Sequence, residues 1–552
     1  MSLRVVKNGD RYEAKFKFDW ALKDLVKSIG FRWDAETKTW WTNKLHLAQQ
    51  LANQVEDHEG SKALQEEQLS RIKGFVKTFE QSKSLSTNKM FPVPKGLEYL
   101  PYQKAGIEFA SGRDATLFGD EMGLGKTVQA IGTINNDPDA RNILILCPKS
   151  LKQNWLREWQ KWDVKQLSVD YNRNTKTFPD TNVVILNYDV VKKFREPVFR
   201  MSGDDTSLID MREWDYIIMD ESHYLKNPKS SRTRQVLGHG KKISPIRARK
   251  RLFLSGTPIL NRPSDLWPMI HSIDKSGEIF GSWFEFIHKY CDAFQDAFGW
   301  QYSGASNLDE LQQNLRSTFM IRRLKRDVLT ELPEKRRQVV VLPLNGAERI
   351  VNNEMELVVN RDRIKAELQN AISRGDLARV SELRLEEQIT IQEIAKARVE
   401  IGKHKAPYVV EHVRNALAHG QVVLFAHHHD VFELIENALT DVNWVKIVGS
   451  VSQNKRQQAI DDFQAGKAQL FLGGLRAASE GITLTASSHV IFAEQDWTDA
   501  IMSQAEDRCH RIGQQHNVLV QQMVLDQSYD ANMAVKIRSK GIISDQALNH
   551  VA

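Results

Sequence analysis

The chain has 552 residues, 41% hydrophobic and 26% charged. That balance excludes disordered, collagen-like and coiled-coil classes and leaves a globular protein of three or four folding units. The net charge of +6 permits a polyanionic partner without requiring one.

No apolar run approaches the ~20 residues that a membrane-spanning helix needs. The first residues lack the apolar core of a secretory signal. Three cysteines without CxxC spacing build neither a disulfide framework nor a cysteine-based zinc site. The expectation is a soluble intracellular protein, in cytoplasm, nucleoid or nucleus, with no membrane contact and no zinc.

In chain order, residues 1–60 form a small accessory domain holding Trp20, Trp33, Trp40 and Trp41 with interleaved Lys and Arg. FRWDAETKTWWT predicts two aromatic strands joined by a polar turn at 35–38. Residues 61–90, rich in Gln, Glu, Lys and Ser, form a linker with the period of an exposed helix and then a loop. From residue 91, NILILC, NVVIL, YIIMD and RLFLS, and after residue 420 VVLF, QLFL and HVIF, have the apolar, branched composition of buried parallel strands. The class is α/β, with one lobe over 91–275 and a second over 406–552. Between them, 276–405 is a charged stretch of helical period read as protrusions and an interlobe linker.

The segment from Gly119 through Asp120, Glu121, Met122, Gly123, Leu124 and Gly125 to Lys126 and Thr127 follows an apolar stretch and leads into a helical pattern. A glycine-rich turn at a helix start converges backbone N–H groups on phosphate oxygens. Lys126 adds a point charge, and the Thr127 hydroxyl suits Mg²⁺. The position six before Lys126 is Asp120, a departure from the strict phosphate-loop pattern. YIIMDESH ends an apolar run in Asp220 and Glu221, at the strand edge where ligands sit in doubly wound sheets. Asp220 suits Mg²⁺, and Glu221 suits orienting or deprotonating a water. ATP with Mg²⁺ is the expected cofactor pair.

In order, LPYQKAGIEF, DEMGLGKT, LCPKSL, DESH, LFLSGTP, FMIRRLKRDVLTELPEK, GITLT and QAEDRCHRIGQ resemble the motif set of Swi/Snf-type DNA translocases of helicase superfamily two, over about residues 95–540. The stretch from GITLT through QAEDRCHRIGQ is more similar to the annealing-helicase, HARP-containing subgroup. The resemblance implies two RecA-like lobes, adenine reading by Gln103, and a segment bearing Gln504, Arg508 and Arg511 as arginine fingers. At i and i+3, the two arginines are expected on one helical face. It further implies that Ser255–Pro258 couples nucleotide state to a duplex tracked by Lys149, Ser150, Asn187, Arg476 and Thr483 through phosphate contacts. Segment 476–485 reads RAASEGITLT, which departs from the family's usual RAGGLGINLT.

The N-terminal hairpin is similar in style to accessory modules that bind branched or single-stranded DNA. Trp33 and Trp40 are either base-stacking platforms or the mini-core of a small domain. His427, His428 and His429 read as a strand terminus, since adjacent strand residues point to opposite faces. The basic run 241–251 reads as a solvated face. The implied function is ATP-driven translocation on double-stranded DNA with remodelling or reannealing of branched DNA. Displacement of proteins from DNA, and a nucleic-acid scaffold with a decayed ATPase, stand as alternatives. Protein partners stay open.

Overall fold

The computed structural model describes residues 3–198, 206–240, 242–259, 262–296, 299–478, 481–496 and 499–531. The end of the expected second lobe (532–552), residue 241 of the basic run and residues 479–480 of the 476–485 segment lie outside the described residues.

Branched apolar runs form the strands expected of them. In the first lobe, a seven-stranded parallel sheet has the order Met320–Ile321, Ala115–Phe118, Ala248–Leu254, Trp214–Asp220, Ile143–Cys147, Val183–Asn187, Val169–Tyr171. Alternate side chains feed two cores: Leu144, Leu146 and Leu186 pack on one face and Ile143, Ile145 and Ile185 on the other. Burial on both faces is why these strands read as unbroken apolar runs.

The second lobe has a six-stranded parallel sheet, ordered Lys335–Leu342, Val518–Leu525, His489–Phe492, Val422–Ala426, Leu470–Gly474, Trp444–Ile447. Its edge strand KRRQVVVL is mostly exposed, and three charged residues and a glutamine precede its apolar VVVL. The segment 276–405 contributes Met320–Ile321 to the first sheet and Lys335–Leu342 to the second. It also holds helix Glu348–Arg374 and the start of helix Leu377–Leu417.

The N-terminal unit is a four-stranded antiparallel sheet ordered Arg4–Asn8, Arg11–Lys15, Thr39–Thr42, Arg32–Asp34, backed by helices Trp20–Ile29 and Leu45–Gln54. The turn at 35–38 closes as expected, with Asp34 Oδ1 accepting from Glu36 N at 3.0 Å. Helix His58–Lys83 packs against Leu45–Gln54 and against helix Leu308–Thr318 of the first lobe. The accessory unit is tied to that lobe by Arg71, which donates to Tyr12 Oη (2.9 Å), Glu67 (2.8 Å) and Glu278.

The basic run keeps Lys242, Arg247 and Arg249 exposed, as expected of a solvated face, while its last three residues are also tied to the fold. Arg249 meets Asp137 at 2.9 Å, and Lys250 and Arg251 donate to the carbonyls of Ser111 and Ser272. His427 and His428 donate their backbone N–H groups to Glu494, and His428 Nδ1 lies 2.6 Å from the same carboxylate. Among the described residues, no helix is long and apolar enough to cross a membrane.

Glu354, buried on helix Glu348–Arg374, accepts from Tyr529 N at 2.9 Å through one oxygen, and its other oxygen accepts no hydrogen bond among the described residues. Burial, assisted by Asp530, pushes its carboxyl up from 4.5 to about 7. Between those values the folded chain holds more protons at this site than the unfolded chain, so its contribution to stability is lost as pH rises through the window. Glu354→Gln should therefore melt higher relative to the parent above pH 7 than near pH 4.5, measured as Tm against pH.

Candidate active site

Strand Ala115–Phe118 runs into the loop at 119–125, and helix Lys126–Asn135 follows. Gly123 (φ +84°) and Gly125 (φ +73°) take left-handed backbone conformations that favour glycine. The Lys126 ammonium folds back over its own loop, donating to the carbonyls of Asp120 (2.8 Å) and Glu121 (3.3 Å). Burial lowers its pKa, opposed by the carboxylates of Glu221, Asp120 and Asp220. Thr127 sits in the first turn of the same helix.

Asp220 ends strand Trp214–Asp220, where Trp155 Nε1 (2.8 Å) and the Glu221 N–H (2.9 Å) hold its two oxygens. Burial, then the neighbouring Glu221 carboxylate, push it up to about 7. Glu221 has φ +47°, unusual for a side-chain-bearing residue; its buried Oε2 accepts no well-aligned hydrogen bond among the described residues, and the His223 Nδ1 atom lies 3.3 Å from it. Left-handed backbone and a buried carboxylate oxygen without a well-aligned donor among the described residues together mark a site rather than a packing position. Burial also raises the Glu221 pKa, while Lys126 from the first lobe and Arg508 from the second oppose the rise.

His223 Nδ1 lies 3.2 Å from Ser255 Oγ, joining DESH to LSGTP. Burial lowers the His223 pKa to about 4, so the ring is neutral at physiological pH.

The finger segment departs from expectation. Helix Asp499–Glu506 stops before both arginines, and the chain continues in tight turns, with Arg508 N and Cys509 N donating to Ala505 O and Glu506 O three residues back. The tightening accompanies anchoring of Asp507, whose carboxylate meets Lys325 (2.9 Å) and Lys335 (3.0 Å). Arg508 and Arg511 are instead gathered at one carbonyl, Ile482 O, at 3.5 and 3.2 Å. Arg511 reaches the phosphate loop: a Cβ placed on Gly123 would lie 3.1 Å from Arg511 Cβ.

Gln103 is buried beside the loop, accepting from Leu100 N (3.0 Å) and donating to Leu124 O (3.4 Å). Gln504 is buried in the last turn of helix Asp499–Glu506, its carbonyl accepting from Arg508 Nε at 3.0 Å.

Sequence reasoning missed Arg322, Arg323 and Lys325. Arg323 Nε donates to Asp120 Oδ1 at 2.9 Å, a second N–H of its guanidinium meets Oδ2, and the backbone N–H of Arg323 donates to Oδ1 at 3.0 Å. Their side chains are 1% and 0% exposed. Arg322 donates to Gly119 O and, at 3.1 Å, to Gly256 O. Lys325 N donates to Glu121 Oε2 at 2.7 Å, while its ammonium donates to His510 O at 2.8 Å. Three residues of the stretch 322–325 thus touch the phosphate loop, LSGTP and the finger segment. The available signal was Asp120 itself: a carboxylate at a glycine position inside a buried loop requires a cation.

The candidate DNA residues gather at the carboxyl ends of both sheets. Cys147 pairs with Asn187, which brings exposed Lys149 and half-buried Ser150 to the edge holding buried Asn187. Arg476, largely exposed, follows strand Leu470–Gly474 and lies 3.4 Å from Asp496; Thr483 is half-buried. A Cβ on Gly481 would lie 2.0 Å from Leu151 Cδ2, so the two segments abut across the seam. Trp33 is 51% exposed, whereas Trp40, 5.6 Å from it, packs on the accessory core.

A model of the SNF2-related domain matches residues 102–396, more than half of the chain. The chain belongs to the SNF2-related family. The helicase conserved C-terminal domain matches residues 404–513. Bovine (Bos taurus) "DNA annealing helicase and endonuclease ZRANB3" is 30% identical over 508 residues, covering 87% of this chain and 44% of that protein. The human (Homo sapiens) protein of the same name is 32% identical over 471 residues, 82% of this chain and 40% of that protein. A Caenorhabditis elegans SWI/SNF-related matrix-associated actin-dependent regulator of chromatin subfamily A-like protein 1 homolog is 30% identical over 546 residues, 96% of this chain and 74% of that protein. This SNF2-related chain thus spans less than half the length of the two ZRANB3 proteins.

Arg323→Met strands a buried carboxylate and should cost about 3–5 kcal/mol of unfolding free energy by urea titration. Lys325→Met should lower ATP turnover by about tenfold with nucleotide affinity little changed, read as kcat against the Kd of a fluorescent ATP analogue, and Lys325→Arg should recover part of the loss.

Proposed function

We propose that the chain is a DNA-dependent ATPase that translocates on double-stranded DNA and couples hydrolysis to remodelling or reannealing of branched DNA. One observation carries this reading: the buried Glu221 carboxylate feels the charge of Lys126 in one lobe and of Arg508 in the other, while Arg511 beside Arg508 packs on Gly123 of the phosphate loop, so chemistry there depends on how the lobes meet.

The residues present fit ATP with Mg²⁺. The loop Gly119–Thr127 offers N–H groups and the Lys126 ammonium to phosphates, and Gln103 stands beside it for the adenine edge. Thr127 and Asp220 would hold Mg²⁺, which when bound neutralises phosphate charge. Glu221, whose buried Oε2 has only the His223 ring nitrogen, 3.3 Å away, beside it among the described residues, orients the attacking water and takes its proton. Arg508 and Arg511 enter from the second lobe, where planar guanidinium groups suit phosphoryl oxygens as charge spreads in the transition state; Gln504 supports Arg508 through its carbonyl.

His223–Ser255 and Arg322–Gly256 then relate the nucleotide end to LSGTP and the seam where Leu151 meets Gly481. Lys149, Ser150, Asn187, Arg476 and Thr483 would hold phosphates of the tracked duplex on either side of that seam. The names borne by the ZRANB3 relatives support annealing of DNA as the outcome. At the accessory domain, exposed Trp33 offers a ring face to a single-stranded base, with Trp40 supporting it from behind.

ATP turnover should rise with duplex and forked DNA; stimulation confined to RNA or single strands would overturn the reading. Lys126→Ala and Glu221→Gln should each stop turnover in the same assay, and Trp33→Ala should raise the half-saturating concentration of forked DNA several-fold while leaving DNA-free turnover unchanged.

A further inference from the structure

The second sheet has a place where its connections part. Val422–Ala426 and His489–Phe492 lie side by side. The chain leaving the first crosses to Trp444–Ile447 at one edge, and the chain leaving the second crosses to Val518–Leu525 on the opposite side. In open parallel sheets, the crevice at the carboxyl ends of two such strands is where ligands bind.

A cleft of about 270 Å³ opens at the carboxyl end of Val422–Ala426, on one side of that crevice and beneath the two long helices. Arg361 and Arg398 enter it from those helices, His427 and His428 from the end of the strand, and Ile391 and Ile394 make an apolar wall. No carboxylate is among the lining residues. Two acids meet lining residues from outside the cleft. Glu494 takes the N–H groups of His427 and His428 and the His428 ring, and Asp530 takes Lys405 at 2.6 Å as well as Arg398 at 3.4 Å. Gln495, in the loop that leaves the neighbouring strand, is 1% exposed and packs behind Arg398. Its carbonyl accepts from Arg398 at 2.7 Å.

Resting on the translocase reading above, we propose that this cleft takes one nucleotide unit of a DNA strand, its phosphate on Arg361 and Arg398 with His427, its sugar and base edge against Ile391 and Ile394. Guanidinium forks match phosphate oxygens. His427, made less basic by burial and by His428, offers a neutral donor, and an apolar wall suits a deoxyribose better than a free inorganic anion. The helical insertion thereby becomes part of the DNA track, supplying two arginines that none of the recognised motifs contains.

The test uses the full chain with Arg361→Glu and, as a milder variant, Arg361→Gln, both checked for an unchanged melting temperature. Duplex-stimulated turnover should need about tenfold more DNA for half-saturation in Arg361→Glu, with DNA-free turnover unchanged. The slope of log affinity against log salt should shrink by about one in both variants, as expected for one lost phosphate contact. A 4-thiothymidine-substituted duplex should crosslink to peptides containing 391–398 or 427–428.

Unaltered half-saturation and salt slope in both variants would overturn the proposal. So would loss of stabilisation by inorganic phosphate, at fixed ionic strength, without any change in the DNA response, since that result assigns the cleft to a free anion. Failure of DNA to stimulate the parent protein would instead sink the translocase reading itself.

Discussion

A carboxylate sealed from water cannot stand alone, and in this protein that rule falls on Asp120. It occupies a position in the phosphate loop where the common pattern has glycine, and its side chain is wholly buried. The partner, Arg323, arrives 203 residues later, after the entire first sheet has been built. The loop that holds phosphates is therefore completed only when the chain returns through Met320–Ile321 to the edge of that sheet. Replacing one member would leave an uncompensated charge in a medium that cannot solvate it. The pair thus makes the nucleotide loop dependent on the interlobe linker.

The same four-residue stretch extends the dependence across the seam. Its arginines grip Gly119, Asp120 and Gly256, and its lysine reaches Asp507 and His510 in the finger segment. Lys335, with Glu506 and Asp507, continues this buried ionic chain into the edge strand of the second sheet. A charge network of this kind adds little net stability relative to well-packed apolar residues, but it tolerates few arrangements, because each displaced ion loses a partner. Two glycine contacts, Gly123 against Arg511 and Gly481 against Leu151, let the lobes approach closely on either side of it. Lobe position, nucleotide loop and finger segment are consequently held as one mechanical unit.

The outer elements follow a similar economy. The accessory sheet is anchored through Arg71 and Glu278 rather than left on a tether, which fixes the direction in which Trp33 faces. The long helices of the insertion are tied to the end of the second lobe by Lys405, Arg398 and Asp530. Both attachments use hydrogen-bonded ions at their centre, which specify geometry through distance and direction in a way that apolar contact does not.

How much of this was legible beforehand differs by element. NILILC, NVVIL, YIIMD and VVLF were readable as strands because burial on both faces leaves only apolar residues. KRRQVVVL was not, because an edge strand keeps polar residues, and Met320–Ile321 was too short to carry a pattern. Lys126, Asp220 and Glu221 were readable because phosphate and metal chemistry restrict residue type at short spacing. The helical face expected for Arg508 and Arg511 did not form, because the buried ion pairs of Asp507 accompany a tighter turn there.

Trp33 and Trp40 looked alike in the sequence and are distinguished only by which of them the small core covers. The sequence by itself therefore determined the α/β class, the order of the lobes and the residues suited to nucleotide chemistry, since these rest on local composition and spacing. Only the tertiary structure decided that Arg323 neutralises Asp120 and that Lys325 joins loop to finger. A cation two hundred residues distant along the chain has no local signature, and its partner is chosen by the way the sheets close around it.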